Sequence, residues 1–366
     1  MNEPTSPEPP APLTSPPTPV APEPPLPMVF LVVWSGFGLL TYLVVGGFAQ
    51  FVHLAWGLWF AEIAIFVGAT VIGWQLLRWK PLQAMGVSKF APRAFFTGMA
   101  FGLVNYVAWA IPTMAAAQAI FPKSMVELFD ASRIFDRQTP IELALVVVGV
   151  SVAAPWGEEF FFRGFMQRGL AEHRGAPRAI VVTAFIFSAF HLDPVGLVAR
   201  FELGVLFGLL AWQSGSLWPA IGAHAANNLV SSVLFHVARS QGSAADEGAL
   251  PWYVPLTMFL VGNVALIALV RALGPGLKVE QPNAFVPAPE QVSIAQRFAP
   301  WVLGGVVAVV VLLGVDRRGV ALNVVDGLSQ LPPAKLKRDE VKDLRDKVRS
   351  GDAPLEDYTK LLETLK

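Results

Sequence analysis

The sequence predicts an all-α membrane protein, a polytopic bundle of eight or nine transmembrane helices. Of its 366 residues, 54% are hydrophobic and only 15% are charged, whereas about 25% are charged in typical soluble domains. The mean hydropathy is +0.52. Long neutral runs recur between residues 28 and 315, and each is close to the roughly 20 residues that a helix needs to cross a bilayer.

Composition also excludes several classes of function. The 27 basic residues equal the 27 acidic ones, so the basic surplus typical of nucleic-acid-binding proteins is missing, and we expect no nucleic-acid partner. The chain has no cysteine, which excludes disulfides, thiolate metal sites and a cysteine nucleophile. Any chemistry must use other side chains.

Three regions differ in composition. Residues 1–27 are rich in proline and lack Lys and Arg, which predicts a disordered tail. Residues 28–315 form the predicted transmembrane helical domain, and no basic stretch precedes its first apolar run, so we expect that run to be retained rather than cleaved as a signal peptide. Residues 316–366 are highly charged, with Leu and Val at helical spacing, and are interrupted at Ser350-Gly351-Asp352. This pattern predicts two short amphipathic helices outside the bilayer.

Nine segments are candidates for membrane spans. They are residues 28–51, 54–77, 94–120, 141–165, 179–192, 196–213, 217–238, 251–271 and 299–315. The fifth segment is too short to cross about 30 Å of hydrocarbon at about 1.5 Å per residue. We therefore expect a partial helix shielded by its neighbours, which would reduce the count to eight.

The charges of the loops predict the orientation. Residues 78–93 and 163–178 carry four arginines or lysines each and at most one acid, whereas the charges of residues 121–140 and 239–250 balance more closely. By the positive-inside rule the first two loops face the cytoplasm. We expect a multi-pass integral protein of a bacterial cytoplasmic (inner) membrane, in contact with the lipid bilayer and with its N-terminus inside.

Ionisable residues within membrane segments are costly and are therefore candidates for function. Glu159 and Arg163 are four residues apart and form a favourable helical ion pair, which explains them structurally. Glu158 is turned about 100° away from Glu159 on the helix and has no partner nearby in the sequence. Glu158 is thus the stronger functional candidate.

Two histidines complete the set of candidates. Counted from a hairpin centred near Arg174, Glu158 and His191 lie at one depth, and His224 falls at a compatible depth about 9 Å past a short turn. Asn228 projects from the same helical face as His224. A single histidine on an apolar helix is commonly a packing residue, but convergence of all three elements favours a shared site. We expect this site to be reachable from the cytoplasmic side.

These elements carry a family resemblance. They are Glu-Glu-x-x-x-Arg at 158–163, Phe-x-x-x-His at 187–191 and His-x-x-x-Asn at 224–228. In this order on apolar helices they resemble the CPBP family (CAAX-processing and bacteriocin-processing, also called Abi) of intramembrane proteases, over about residues 140–240. The resemblance implies a polytopic helical fold, hydrolysis of a peptide bond in the membrane, and a peptide or protein substrate. The functional set it implies is Glu158, Glu159, His191, His224 and Asn228, with Arg163 in support.

Two mechanisms are compatible with these residues. In the first, which we favour slightly, Glu158 acts as general base on a water that His191 orients, and then as general acid to the leaving amine. His224 and Asn228 would donate to the oxyanion, while Glu159 fixes the local geometry. In the second mechanism, Glu158, His191 and His224 bind zinc and leave one position open for water. The sequence does not decide between them.

Other functions are weaker alternatives. A rhomboid-like serine protease would use one of three serines near the histidines, Ser188, Ser231 or Ser232, but no Gly-x-Ser-x-Gly motif is present. A non-catalytic membrane immunity or regulatory protein that retains the fold is the alternative from another class, and the complete motif set argues against it. Interhelical pairing or snorkelling explains the remaining charged residues of the spans about as well as a functional role. These residues are Glu62, Glu142, Arg200 and Glu202.

Substrate identity is left open by the sequence. The resemblance is compatible with prenylated C-terminal tails, leader peptides and membrane-anchored sorting tails. No specificity pocket can be identified from one chain.

Overall fold

The computed structural model describes residues 27–77, 79–135, 139–240 and 250–279 and most of 317–365. These residues form helices and connecting segments only, so the all-α prediction is confirmed for the described part of the chain. Residues 1–26 of the predicted proline-rich tail and the predicted span 299–315 lie outside the described residues.

The described helices form a bundle and a separate group near the C-terminus. The helices of the bundle are α1 (Met28–Val52), α2 (Leu54–Leu76), α3 (Pro92–Ile120), α4 (Pro140–Arg174), α5 (Ala176–Phe190), α6 (Leu197–Ser214), α7 (Trp218–Ser240) and α8 (Tyr253–Leu273). Shorter helices are Pro81–Ala84, Lys123–Leu128, the 3-10 turns Ala131–Phe135 and Gly274–Gly276, and Pro333–Leu336. Stretches of π-helix interrupt α1 to α4, as at Glu159–Gln167.

Six helices in the described part are long and apolar enough to cross a membrane: α1 to α4, α6, and α8 with its 3-10 extension. The fifth predicted segment is indeed a shorter apolar helix, α5. Helix α7 is 23 residues long but is not among the six, because its His, Asn and Ser side chains lower its hydropathy. A count of eight or nine spans therefore stays a prediction.

Helix α4 is longer than its sequence pattern indicated. It begins with a capping box, in which Thr139 accepts a hydrogen bond from the backbone of Glu142 while the Glu142 carboxylate accepts from the backbone of Thr139. It continues to Arg174, for 35 residues, well past the predicted end at 165. Gly175, with φ +75°, then turns the chain into α5. Glu158 consequently lies in the middle of a long helix.

Helix α7 lies at the centre of the packing and contacts α3, α4 and α6. Its approach to α3 is close: a Cβ atom at Gly98 or Gly102 would overlap the backbone of Pro219 or Ala223, respectively. Small residues four apart allow two membrane helices to approach in this way. Because Ala223 precedes His224, this contact positions the histidine.

The surface of the bundle is apolar. In the most apolar 18-residue window, only 17% of the residues of α1 and 6% of those of α8 are buried. Their exposed residues include Val32, Phe37, Val261 and Val264. Such a surface is suited to hydrocarbon rather than to water, which agrees with a multi-pass membrane protein.

The bundle has two distinct ends. The basic end comprises residues 79–92, 214–217 and 277–279, and it is tied together by backbone hydrogen bonds from Leu217 to Met85 and from Val279 to Ser214. The opposite end comprises Val52 and His53, the turn Ala131–Phe135, and Leu250, and the Ala131–Phe135 turn packs there against α4 and α7. Helices α3 and α7 run from the basic end to the opposite end.

A small helical group follows near the C-terminus. It contains residues 317–326, α9 (Asp339–Ser350) and α10 (Leu355–Thr364), and Gly351 turns the chain after α9 with φ +97°. Its separate core consists of Leu322, Val341, Val348, Tyr358 and Leu362. The group contacts the bundle at the opposite end, where Asn323 donates to the Val52 carbonyl over 2.7 Å and Arg349 pairs with Glu142.

Candidate active site

The structure brings Glu158 and both histidines together. Glu158 Oε1 lies 3.9 Å from Nε2 of His191, and Glu158 Oε2 lies 3.6 Å from Nε2 of His224. Glu158 is 8% exposed and His224 is 4% exposed, whereas 28% of the His191 side chain is accessible. The three groups come from α4, from the residue that follows α5, and from α7.

Hydrogen bonds define which ring nitrogen of each histidine faces Glu158. His191 Nδ1 lies 2.8 Å from the Phe187 carbonyl oxygen. A carbonyl oxygen only accepts hydrogen bonds, so Nδ1 carries the proton and the neutral ring directs the lone pair of Nε2 toward Glu158. His224 Nδ1 lies 2.9 Å from Glu159 Oε1, and it likewise directs Nε2 toward Glu158.

A buried ion pair supports His224 from behind. Arg163 Nη1 donates to Glu159 Oε1 over 2.9 Å, and neither side chain is accessible. The Arg163 guanidinium lies 4.5 Å from the centre of the Phe187 ring, and the Phe207 ring stacks on His224 at 4.7 Å. The predicted Glu159–Arg163 pair is therefore present, and it also contacts a catalytic candidate on another helix.

Asn228 lies one turn beyond His224 on α7, and its amide is held at both atoms. Its Nδ2 donates to the Val150 carbonyl over 2.9 Å, and its Oδ1 accepts from Asn227 Nδ2 over 3.2 Å. Asn227 lines the same cavity as Asn228. The amide of Asn228 retains one N–H that these contacts do not use.

The serines of the alternative mechanism donate to the backbone instead. Ser188 Oγ donates to Leu197, Ser231 Oγ to Asn227 and Ser232 Oγ to Asn228, in each case to a carbonyl oxygen. Hydroxyl groups that donate in this way are not activated by a base as a nucleophile must be. The serine alternative gains no support.

The hairpin tip between α5 and α6 carries His191. Leu192, the next residue, has φ +53°, in the left-handed region that non-glycine residues rarely occupy. Asp193 Oδ1 accepts from the backbone N–H groups of Val195 and Gly196, and its Oδ2 pairs with Arg200 Nη1 at 2.7 Å. This network fixes the backbone directly after the histidine.

A cavity of about 410 Å³ surrounds these groups. Glu158, His191, His224 and Asn228 all line it. Further lining residues come from α3, from the turn Ala131–Phe135 and from Leu250, so this cavity extends to the opposite end of the bundle. The sequence predicted access from the cytoplasmic side, which the loop charges place at the basic end.

The other charged residues of the spans have partners. Glu62 accepts from the Tyr42 hydroxyl over 2.6 Å, and Glu202 accepts from Asn105 over 2.9 Å. Arg200 pairs with Asp193 and also lines the cavity. Glu142 caps α4, and His53 Nε2 lies 3.4 Å from its Oε1. These contacts agree with interhelical pairing.

Several neighbours of the site were not predicted from the sequence. Phe207 and the carbonyl of Gly204, which accepts from Arg163 over 3.1 Å, belong to helix α6, and neither residue differs in the sequence from an ordinary packing residue. Gln167 was detectable, because it is a buried amide one turn beyond Arg163. The position of Glu62 against Gly157, beside Glu158, has no signal in the sequence.

The proposed zinc ligands have some features of a metal site. Histidines that bind metal usually donate from the other nitrogen to a carbonyl or carboxylate, and Phe187 and Glu159 provide such acceptors. However, no group of three or more His, Cys, Asp or Glu side chains in the described ranges is arranged to hold a metal ion. The residues as placed do not fit zinc, and we derive no step through it.

Comparison with known proteins agrees with this geometry. Comparison with curated proteins and with solved structures gave no match. Residues 140–230 match the family model "Type II CAAX prenyl endopeptidase Rce1-like", and this segment contains the Glu-Glu-x-x-x-Arg motif, both histidines and Asn228. The match confirms the resemblance noted in the sequence: over residues 140–230 the chain carries an Rce1-like CAAX endopeptidase domain of the CPBP family, a family of intramembrane proteases.

Proposed function

We propose that the protein is an intramembrane endopeptidase that cleaves a peptide bond with a water activated by Glu158. One observation carries the proposal: a carboxylate lies 3.9 Å and 3.6 Å from the Nε2 atoms of two histidines, in a cavity within an apolar bundle. A buried acid with such neighbours is a recurrent arrangement for proton transfer. The family match at residues 140–230 supports the same reaction class.

The first step is activation of water. The 3.9 Å between Glu158 Oε1 and His191 Nε2 is too long for a direct hydrogen bond, but one water can donate to both atoms at about 2.8 Å. Both atoms are acceptors, so the water directs a lone pair away from them toward the substrate carbonyl. Glu158 takes the proton while the new C–O bond forms.

The second step is expulsion of the amine. The tetrahedral intermediate breaks its C–N bond, and Glu158 returns its proton to the leaving nitrogen. The Glu158 side chain thereby returns to its carboxylate form. His191 keeps its proton on Nδ1 throughout, so its role is to orient the water.

Stabilisation of the oxyanion requires hydrogen-bond donors. His224 Nδ1 contacts Glu159 at 2.9 Å, so Nε2, 3.6 Å from Glu158, is the ring nitrogen on the cavity side, and it donates when both ring nitrogens carry a proton. Asn228 offers its remaining N–H from the same face of α7. Each donor of this kind is typically worth about 10²- to 10³-fold in rate.

The substrate is a peptide or protein segment at the membrane. Lining side chains such as Tyr106, Met114, Leu203 and Phe235 make the cavity walls largely apolar, which suits a segment that enters from or near the bilayer. Comparing the membrane peptides that accumulate when the protein is absent distinguishes prenylated C-terminal tails, leader peptides and sorting tails. The proposed location is a bacterial cytoplasmic membrane.

The test is Glu158→Gln, which preserves the shape of the side chain and removes the base. We expect the variant to accumulate in the membrane at the normal level. It should not cleave the membrane peptides that accumulate when the protein is absent. Glu202→Gln is the matched control, because Glu202 is another glutamate of a membrane helix and Gln can still accept from Asn105; its cleavage rate should stay near wild type. Full activity of Glu158→Gln would contradict the proposal.

Treatment of the purified wild-type protein with a chelator distinguishes the metal-free mechanism from the zinc mechanism. Retained cleavage, with no metal detected by elemental analysis, supports the metal-free reaction. Loss of cleavage that zinc restores would favour the zinc alternative.

A further inference from the structure

A second cavity lies at the basic end, on the other side of the buried ion pair. Its volume is about 350 Å³. It is lined by Arg163, Gln167 and Ala211 inside the bundle and by Met85 and Leu217 from the connecting segments at the basic end. The first cavity extends to the opposite end, so the two cavities approach the site from different directions.

Arg163 and Gln167 of α4 each donate a hydrogen bond to the backbone of α6. Arg163 Nη2 donates to the Gly204 carbonyl over 3.1 Å, and one turn later Gln167 Nε2 donates to the Gly208 carbonyl over 3.0 Å. Both residues are buried, each with 2% of its surface exposed. They therefore place polar groups along a path that apolar side chains could fill at lower cost.

Three buried atoms beside these two hydrogen bonds have no hydrogen-bond partner within the described residues. They are Glu159 Oε2, Arg163 Nε and Gln167 Oε1. Buried polar atoms are almost always hydrogen-bonded to protein or to internal water, and an unsatisfied one destabilises the fold. These three atoms lie on successive turns of one helix, and internal water is the partner that would satisfy them.

A chain of polar contacts joins the two cavities. Gln167 and Arg163 line the second cavity. Arg163 contacts Glu159 at 2.9 Å, and Glu159 contacts His224 at 2.9 Å. His224 and Glu158 then line the first cavity. Every step thus passes between polar side chains.

We propose that the second cavity is the water inlet of the site, through which the water consumed in hydrolysis passes Gln167 and Arg163 to reach Glu158. Each cleaved peptide bond consumes one water, and the surrounding hydrocarbon supplies none. The substrate occupies the first cavity, so water and substrate approach from opposite ends. This inference rests on the proposed protease function.

The absence of native cysteine allows a direct test. Ala211→Cys places a single thiol in the wall of the second cavity, where a bulky charged methanethiosulfonate reagent can attach from the aqueous phase. Ser88→Cys is the matched control at the same end of the bundle, outside the lining of either cavity. The extent of labelling is measured by mass spectrometry, and cleavage is assayed before and after labelling.

We expect labelled Ala211→Cys to lose at least about tenfold in kcat with little change in KM, because the substrate uses the other cavity. Labelled Ser88→Cys should keep its activity. Ala171→Cys, in the same wall, replaces Ala211→Cys if the latter fails to fold. Gln167→Met, which removes the amide, should likewise lower kcat rather than raise KM.

Two results overturn the inference in different ways. If fully labelled Ala211→Cys or Ala171→Cys cleaves at its unlabelled rate, the second cavity is not the inlet, although the protease function stands. If Glu158→Gln cleaves at the wild-type rate, the protease mechanism itself fails, and the inlet fails with it.

Discussion

Asn228 is the residue whose proposed role in catalysis is most directly measurable. Its amide is oriented by Val150 and Asn227, so its remaining N–H has a defined direction. We expect Asn228→Ala to lower kcat by about 10²- to 10³-fold, about 2.7–4 kcal/mol in the activation barrier, with little change in KM or abundance. Steady-state kinetics of the purified variant measure this loss.

Asn227→Ala is the comparison for Asn228→Ala, because it removes the side chain that donates to Asn228 Oδ1 and leaves the Asn228 amide in place. Its effect on kcat should be clearly smaller. Unchanged turnover in Asn228→Ala would remove that residue from the oxyanion role.

Candidate site residues could be predicted from the sequence where they are polar residues within apolar membrane helices, because such residues are rare there. Glu158, His191 and His224 are conspicuous because polar groups are expensive in apolar helices. Their hydrogen-bond directions were not predictable, because the carbonyl of Phe187 and the carboxylate of Glu159 select the nitrogen that faces Glu158, and that selection depends on tertiary contacts.

At the scale of helices, the contact between α3 and α7 controls the position of His224. A side chain at Gly102 would collide with the backbone of Ala223. We expect Gly102→Val to destabilise the protein by about 1–3 kcal/mol through overpacking, and to lower the cleavage rate because α7 must shift. Thermal unfolding in detergent and the cleavage assay report the two effects.

Gly36→Val provides the comparison, because no atom lies within 4 Å of a Cβ at Gly36. This variant should keep both its unfolding temperature and its activity. A wild-type unfolding temperature for Gly102→Val would contradict the close packing of α3 and α7.

The sequence predicted helices well where the length of an apolar run sets their length. It predicted them less well where a helix carries charged or polar residues. The short fifth segment was expected to be a partial helix, and α5 is short. The end of α4 was placed at 165, but the helix continues through Arg168 to Arg174, since loop-like charge does not by itself end a helix. Helix α7 escapes a hydropathy criterion because it carries the site.

At the scale of the whole molecule, the C-terminal group behaves as an attachment to the bundle. It has its own core, and its contacts through Asn323 and Arg349 involve no residue that lines the first cavity. We expect Arg349→Ala to change the cleavage rate less than about twofold, the range of a surface substitution within ~0.5 kcal/mol, while proteolysis of the group becomes faster. A loss of activity as large as that of Glu158→Gln would show that the group takes part in catalysis.

Leu192 bears on the timing of catalysis. Its left-handed backbone costs roughly 1–3 kcal/mol, and the free protein bears that cost permanently, since the surrounding Asp193 contacts hold the conformation. The imidazole of His191 is therefore preorganised before any peptide arrives. Binding energy from the peptide need not be spent on placing this imidazole, so that energy remains available to stabilise the transition state.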